Sequence, residues 1–459
     1  MRETSYDVRI GKTLVYEGDR VTSYRVRWRV GKLRERFTKT FRSSTQAKSF
    51  KSELHSAASR GEAFYLDTGL PVSMARETAK LSWYQFAVEF VDLKWNGSAA
   101  TSRRTDAEAL TAITMQMFST RSRMPDQKLL RRVLTHWAFN TKNRAVRPMV
   151  DDERRALAWA ESNTHDVSAF SEIDFLRKVL NRIAVRLDGK PRAASVVTRW
   201  RKTLGVAMVY AVDRKLLASN PLKEIKRTAP QKTVRAIDRR VVANPIQART
   251  IFNELSEFEN GRRLLAFFGC IYYAGVRPEE AAGISKQNLD IPAKGWGDIH
   301  LEGARPFAGK GWTDTGQARD KRQLKHREVG ESRTVPCPPE LTALLRAHLE
   351  QYGTAPDGRL FVGVRRPDYL PTRTVTLAWQ RARTAALSPE AAASPLARTP
   401  YDLRHAAVST WLAGGVHATE VAEWAGHSVG VLLKIYAKCL DGEKARSRAK
   451  VTAALNGAV

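Results

Sequence analysis

Polar and apolar residues alternate near the start of the chain. In residues 23–30, SYRVRWRV, Tyr24, Val26, Trp28 and Val30 fall on one face of a strand and Arg25, Arg27 and Arg29 on the other, because successive strand side chains point to opposite sides. A second strand, ERFTKTF, follows across the Gly31 turn region. Ser43 or Ser44 then caps a predicted helix running to about Ser59, with Ala47, Phe50 and Leu54 at helical spacing. Gly69 and Pro71 interrupt helix formation in DTGLPVSM, residues 67–74, which reads as a linker. From about 80 to 220 the period changes to three and four. Ile173, Leu176, Leu180, Ile183 and Leu187 make one stripe, and Val197, Trp200, Leu204, Met208, Ala211 and Val212 another that stops at SNPL, since a residue before proline leaves the helical region. Both stripes read as plain core.

Residues 221–245 lose the apolar period and turn polar and basic, as a flexible connection would. The pattern resumes near Asn244 with RRLLAFFGCIYYAG and then VRPEEAAGI. There Pro278 suits a first helical turn, and Glu279 and Glu280 complement the helix dipole. Arg277 therefore stands just before a helix start. Short strand signals, DIHLEG and RTVPCP, flank a long polar insertion that reads as functional or mobile. ELTALLRAHLEQY and a segment from Val375 to Ala386 are further helices. The chain's last patterned stretch runs from Tyr401 to Tyr436.

Composition narrows the class. A length of 459 residues exceeds one core, and 43% apolar content excludes wholesale disorder. Cys270, Cys337 and Cys439 are too few and scattered for a disulfide framework or a CxxC metal site, and read as inert reduced thiols. There is no run of 18 apolar residues and no charged-then-apolar leader after Met1. The expected location is the cytoplasm, on the nucleoid when DNA is bound. Charge changes the picture most. A net charge of +30 predicts a polyanionic partner through counterion release, with nucleic acid the obvious candidate. The charge is spread from end to end, which argues for a long contact surface rather than a basic tail. No convincing amphipathic basic helix points to a membrane. The sheet face carrying Arg25, Arg27 and Arg29 is either a DNA-groove surface or a solvated one.

Candidate chemistry concentrates in the Tyr401–Tyr436 stretch. It holds Arg404, His427 in an AGHS turn, and Tyr436 nine residues later. An arginine, a ring nitrogen and a phenol held together can serve phosphate chemistry without a metal. The cation clamps non-bridging oxygens while the phenol attacks phosphorus. Singly, each residue has an ordinary reading: a surface arginine, a core histidine, a half-buried aromatic. Jointly they do not, once Arg277 and Lys325 are added. In the order AGVRPEE, LKHREVGESRTVP, YDLRH, AGHS and IY, residues 250–440 resemble the tyrosine recombinases, specifically the integrases of phages and integrative elements.

The resemblance implies a multidomain architecture. An arm-type DNA-binding domain of a small β-sheet plus helix (1–66) and an all-α core-binding domain (76–222) precede a basic linker (223–243) and an α+β catalytic domain (244–459). It also implies the chemistry. Tyr436 would attack the scissile phosphodiester to give a 3′-phosphotyrosyl link and a free 5′-hydroxyl, with no ATP, metal or other cofactor. Arg277 and Arg404 would clamp the non-bridging oxygens, Lys325 would protonate the leaving 5′-oxygen, and His427 would donate to or position the phosphate. Lys310 and Lys321 rival Lys325 for its part. At Tyr401 the sequence departs from the family, which has histidine three residues before the arginine. A tyrosine donates a hydrogen bond but is a poor base near neutral pH. Tyr401 is therefore expected to contact the phosphate or brace the site, with His405 or water able to compensate. The implied partners are double-stranded DNA attachment sites, three further copies in a tetramer on DNA, and an accessory DNA-bending or excision-directing protein. Two other readings stay open: a catalytically silent DNA-binding regulator of the same fold, and a type IB topoisomerase-like relaxing enzyme.

Overall fold

The computed structural model describes residues 3–17, 22–31, 37–77, 81–225, 237–324, 330–364, 368–440, 448, 451–452 and 455–456. It is a mixed α/β chain in which helix predominates. Residues 1–98 with 102–226 make one compact unit, and 227–459 with 99–101 the other.

The first unit opens with strands β1 (Thr4–Ser5), β2 (Val8–Ile10), β3 (Leu14–Glu17), β4 (Thr22–Val30) and β5 (Phe37–Phe41), then helix α1 (Ser44–Ser59) and β6 (Phe64–Tyr65). β4 is the centre of an antiparallel sheet, pairing β2 and β3 on one side and β5 on the other. The expected alternation holds. Val26, Trp28 and Val30 are buried against Ala47, Phe50 and Leu54 of α1, while Arg29 is exposed on the opposite face. The segment read as a linker instead packs here. Leu70 and Met74 lie on this core, Val72–Glu77 forms a short helix, α2, and the Trp28 indole donates to the Gly69 carbonyl. Gly69, at φ +70°, lies under the Phe37 ring, where a Cβ would come within 2.3 Å of it.

The helical run follows as α3 (Trp83–Trp95), α4 (Ala100–Thr114), α5 (Gln127–Val133), α6 (Thr141–Val146), α7 (Asp151–Asn163), α8 (Ile173–Ile183) and α9 (Ala194–Asp213). α8 ends at Ile183, so Leu187 is not part of the stripe and is 77% exposed. Four residues beyond that end, it has left the helical face that buries Leu176, Val179 and Ile183. α9 buries Trp200, Leu204, Met208 and Ala211 as its spacing predicts.

The second unit contains α10 (Pro245–Ser256), α11 (Glu259–Arg262), α12 (Leu265–Tyr273), α13 (Pro278–Ala281), strands β7 (Leu289–Asp290), β8 (Gly297–Leu301) and β9 (Arg333–Cys337), then α14 (Pro339–Tyr352), α15 (Thr372–Ala386), α16 (Pro389–Ala393), α17 (Pro400–Ala413), α18 (Ala418–Ala425) and α19 (Val429–Leu440). β8 is central in an antiparallel β7-β8-β9 sheet. The apolar α12 lies at the middle of the core, packing on α14 and α17, with Phe268 tilted against Trp379 of α15. The basic connection is not polar throughout. Ile237 is buried with Tyr436, its N–H donates to the Ile435 carbonyl, and Ala243 joins the main core. The β8–β9 insertion is also folded over its described part: Trp312, Thr313 and Ala318 are buried, and Arg319 donates to the carbonyls of Leu370 and Arg305. Cys270 and Cys337 are buried free thiols whose pKa values burial pushes up, in keeping with inertness; the Cys439 side chain lies outside the described residues. Among the described residues no helix is long and apolar enough to cross a membrane.

Candidate active site

Three helix starts and one left-handed glycine assemble the site. Arg277 has extended backbone just before α13, whose proline at the first position fixes the start. Glu280, three residues on, reaches back to accept from the Arg277 backbone N–H at 2.8 Å and from Nη1 at 2.7 Å. Arg277 Nη2 donates to the Gly426 carbonyl at 2.9 Å. Glu280 also accepts from both terminal nitrogens of Arg333, at 3.2 and 2.8 Å. Burial pushes the Glu280 carboxyl up, but Arg333, then Arg277 and Arg404, hold it down at about 2. Beyond complementing the helix dipole, Glu280 is thus an ion-pair partner shared by Arg277 and Arg333.

α17 begins with Asp402 accepting from the Thr399 N–H at 2.7 Å, which closes the first turn and sets Tyr401, Arg404 and His405 in place. Arg404 is wholly buried. It donates to the carbonyls of Gly275 and Ala425, and its Nη2 lies 3.0 Å from His427 Nε2. A guanidinium only donates, so His427 Nε2 must accept and the proton belongs on Nδ1, which has no partner among the described residues. Burial, then the charges of Arg404 and Arg277, pull the His427 imidazole down to about 3, and it is neutral at pH 7. Burial and the nearby Arg277 also lower Arg404, to about 10.

Gly426 ends α18 in the left-handed conformation at φ +61°. A Cβ there would fall 2.5 Å from Arg333 Nη1 and 3.4 Å from Arg277 Nη1, so backbone conformation and close approach both call for glycine. Tyr436, on α19, is completely buried among Val408, Leu412, Val421 and Leu432. Its hydroxyl is 2.9 Å from His405 Nδ1. Tyr401, 38% exposed, sets its ring edge-on to His405 at 5.1 Å.

Of the predicted site residues, Arg277, Arg404, His405, His427, Tyr401 and Tyr436 converge in one cluster. Lys325 lies outside the described residues. Of its rivals, Lys310 stands 3.7 Å from Asp368, and Lys321 lines a cleft of about 270 Å³ with Glu280 and Asn288. Arg333 was not among the predicted residues. Its signal was available in the alternation of RTVPC, which puts Arg333 on the inward face with Val335 and Cys337. The hydrogen-bonded cluster carries three guanidinium groups and one carboxylate, with both histidines neutral: 3 − 1 = 2 positive charges in excess. That excess suits an anion whose charge grows from one toward two during reaction, as a phosphodiester's does when it becomes five-coordinate.

Away from this cluster, Arg27 donates to the Tyr16 hydroxyl at 3.2 Å and Arg25 lies over the Tyr16 ring, so both are ordered on the face of β4 away from the core. A cleft of about 230 Å³ in the first unit is lined by Arg121, Arg131, Arg182, Arg186 and Arg192, with Arg192 stacked over Trp200.

No protein-family model matches this chain, and no curated protein does. Among solved structures it is similar to the Tn1549 transposon integrase in complex with a circular intermediate DNA, at 14% identity and a TM-score of 0.45, covering 72% of this chain and 99% of that one. It is similar to the XerH site-specific recombinase bound to a difH substrate, at 12% identity and a TM-score of 0.42, covering 77% and 97%. It is also similar to a lambda integrase tetramer bound to a Holliday junction, at 14% identity and a TM-score of 0.44, covering 89% and 91%. These neighbours are tyrosine recombinases.

Proposed function

We propose that the chain is a site-specific DNA recombinase that cleaves and rejoins strands through a 3′-phosphotyrosyl intermediate, integrating or excising a mobile element. The observation that carries this reading is the convergence of two buried arginines, a neutral histidine with a free-facing N–H, and a tyrosine whose hydroxyl is held by a second histidine. A tyrosine with a pKa near 10 is ionised only in roughly one molecule in a thousand at pH 7, so this phenol needs both cations and a proton acceptor. Arg277 and Arg404 hold the non-bridging oxygens, His427 Nδ1 donates to one of them, and Glu280 fixes Arg277 while Arg333 shares its charge. Tyr436 forms its bond to phosphorus as the bond to the 5′-oxygen breaks, and Lys325 supplies the proton that oxygen takes. Because Tyr436 is wholly buried in this state, attack requires α19 to shift. The sheet face with Arg25, Arg27 and Arg29 and the helical region serve DNA binding as arm-type and core-binding domains, and four copies assemble on two sites.

The test is a nicked duplex spanning DNA that flanks the chain's own coding sequence, incubated in EDTA. A covalent protein–DNA adduct should form with the wild-type chain and not with Tyr436→Phe. DNA binding without any adduct would instead make the chain a silent regulator. Supercoil relaxation without strand exchange between two sites would make it topoisomerase-like.

A further inference from the structure

We infer that His405 is the group that takes the proton from Tyr436 as its oxygen attacks, the part that Tyr401 occupies in sequence but cannot perform. The inference rests on the recombinase reading and adds to it the identity of the base. His405 Nδ1 lies 2.9 Å from the Tyr436 hydroxyl, within the reach required of a general base. Tyr401 is one helical turn earlier on the same face of α17, and its ring meets the edge of the His405 imidazole at 5.1 Å. Tyr401 therefore braces the imidazole, and the imidazole faces the nucleophile.

The groups facing His405 are Tyr401 and Arg404 from its own helix, Tyr436 from α19, and His427 from the loop before α19. Among the described residues none is a carboxylate that would hold the ring protonated. Burial and the Arg404 charge pull His405 down to about 4, so at pH 7 it is neutral and its Nδ1 lone pair is available to the phenol. In the free protein this makes it a weak base. Burial is the larger cause and stays, but an incoming phosphodiester brings negative charge beside Arg404, offsets the second cause, and raises the basicity of the ring when the substrate is present. In the step, the Tyr436 O–H bond breaks and the proton passes to Nδ1 as the Oη–P bond forms and the P–O5′ bond breaks. On religation the imidazolium returns the proton to the departing phenolate.

The measurement is single-turnover adduct formation on the same nicked duplex, as a function of pH, with His405→Ala and His405→Asn. Both should lose about 100-fold or more in cleavage rate while retaining DNA affinity, in line with the usual worth of a positioned proton acceptor. Free imidazole should restore part of the His405→Ala rate in proportion to its unprotonated fraction. His405→Asn keeps a hydrogen-bond acceptor near the phenol but cannot take its proton; it should remain slow, and it serves as the folded control if the alanine variant fails to fold. The inference is overturned if the asparagine variant cleaves within about threefold of wild type, or if imidazole leaves a folded, DNA-bound His405→Ala unchanged. Failure of the wild-type chain to form any adduct would sink the recombinase reading itself, a separate result.

Discussion

Glu280 is the residue on which the site's charge balance turns. It is 1% exposed and accepts four hydrogen bonds, from the Arg277 backbone N–H, Arg277 Nη1 and the two terminal nitrogens of Arg333, with the Arg404 charge nearby. Removing one partner of a buried ion pair typically costs about 3–5 kcal/mol, because the remaining charge stays buried and uncompensated. Glu280→Gln keeps the shape and some hydrogen bonding, so a loss near the lower end of that range is expected in urea unfolding, together with a drop in cleavage, since Arg277 loses its anchor. Gly426→Ala should also destabilise, by about 1–3 kcal/mol, from left-handed strain and the collision with Arg333. The same residues set a pH dependence. Glu280, held at about 2 against a usual 4.5, contributes stability that is present above 4.5 and lost as pH falls toward 2. His405 and His427, held at about 4 and 3 against a usual 6.5, stay neutral in the folded chain while the unfolded chain binds protons, so stability falls as pH drops below 6.5. Between pH 6.5 and 5 each histidine contributes a loss of up to about 2 kcal/mol. Urea midpoints should therefore fall from pH 7 to pH 5, and the double variant His405→Gln, His427→Gln should flatten that slope.

At the scale of elements, the cleft between α5, α8 and α9 places five arginines together with little to neutralise them. Among the described residues the ion pair there is Arg186 with Asp188 at 3.1 Å, and desolvation and the neighbouring Arg192 lower the Arg131 pKa. Each phosphate contact removed should lower the slope of log K against log salt by about 0.9 on duplex DNA. Arg121→Gln and Arg182→Gln, both exposed, should each weaken binding at 0.1 M salt and reduce that slope by about one, as read by fluorescence anisotropy across a salt series; an unchanged slope would mean solvated arginines that touch no phosphate. The helices flanking this cleft were legible in the sequence because α8 and α9 carry their apolar positions at three and four, a local pattern. Their ends were less so: α8 stops four residues short of Leu187. Residues 67–74 read as a linker because glycine and proline break local periodicity, but their packing on Trp28 and Phe37 is a tertiary contact that no local pattern reports. The site divides the same way. Arg277, Arg404, His427 and Tyr436 were legible through motif spacing. The part of Arg333, the sharing of Glu280 and the bond between His405 and Tyr436 depend on which elements meet, and appear only when β9, α13, α17 and α19 are brought together.

For the molecule as a whole, the consequence of the proposed function is a nucleophile stored in a core. Tyr436 is fully buried with Ile237, Val408, Leu412, Val421 and Leu432, and α19 is tied back by the Ile237 N–H to the Ile435 carbonyl at 2.9 Å. A phosphorus atom cannot reach the hydroxyl in that arrangement, and a shift of α19 must open this apolar packing while keeping the hydroxyl within reach of His405 Nδ1. Deleting a core leucine side chain costs about 2–5 kcal/mol, so the apolar seat of α19 is a sizeable restraint, and DNA must supply the energy that lifts it. The positive excess at Arg277, Arg333 and Arg404 offers a source, since a phosphodiester is attracted to those cations only where they can be reached. Binding and exposure are then linked, and the free chain is held from attacking. Hydrogen exchange can test this with Tyr436→Phe, which cannot cleave. On adding the nicked duplex, backbone amides of α19 should exchange faster than in the free protein, while those of α12 and of the middle of α17, which hold the rest of the site, should slow or stay unchanged. If α19 amides become more protected instead, the helix does not leave its seat, and the route of substrate to Tyr436 must open elsewhere, through movement of the α17 face that carries Tyr401 and His405.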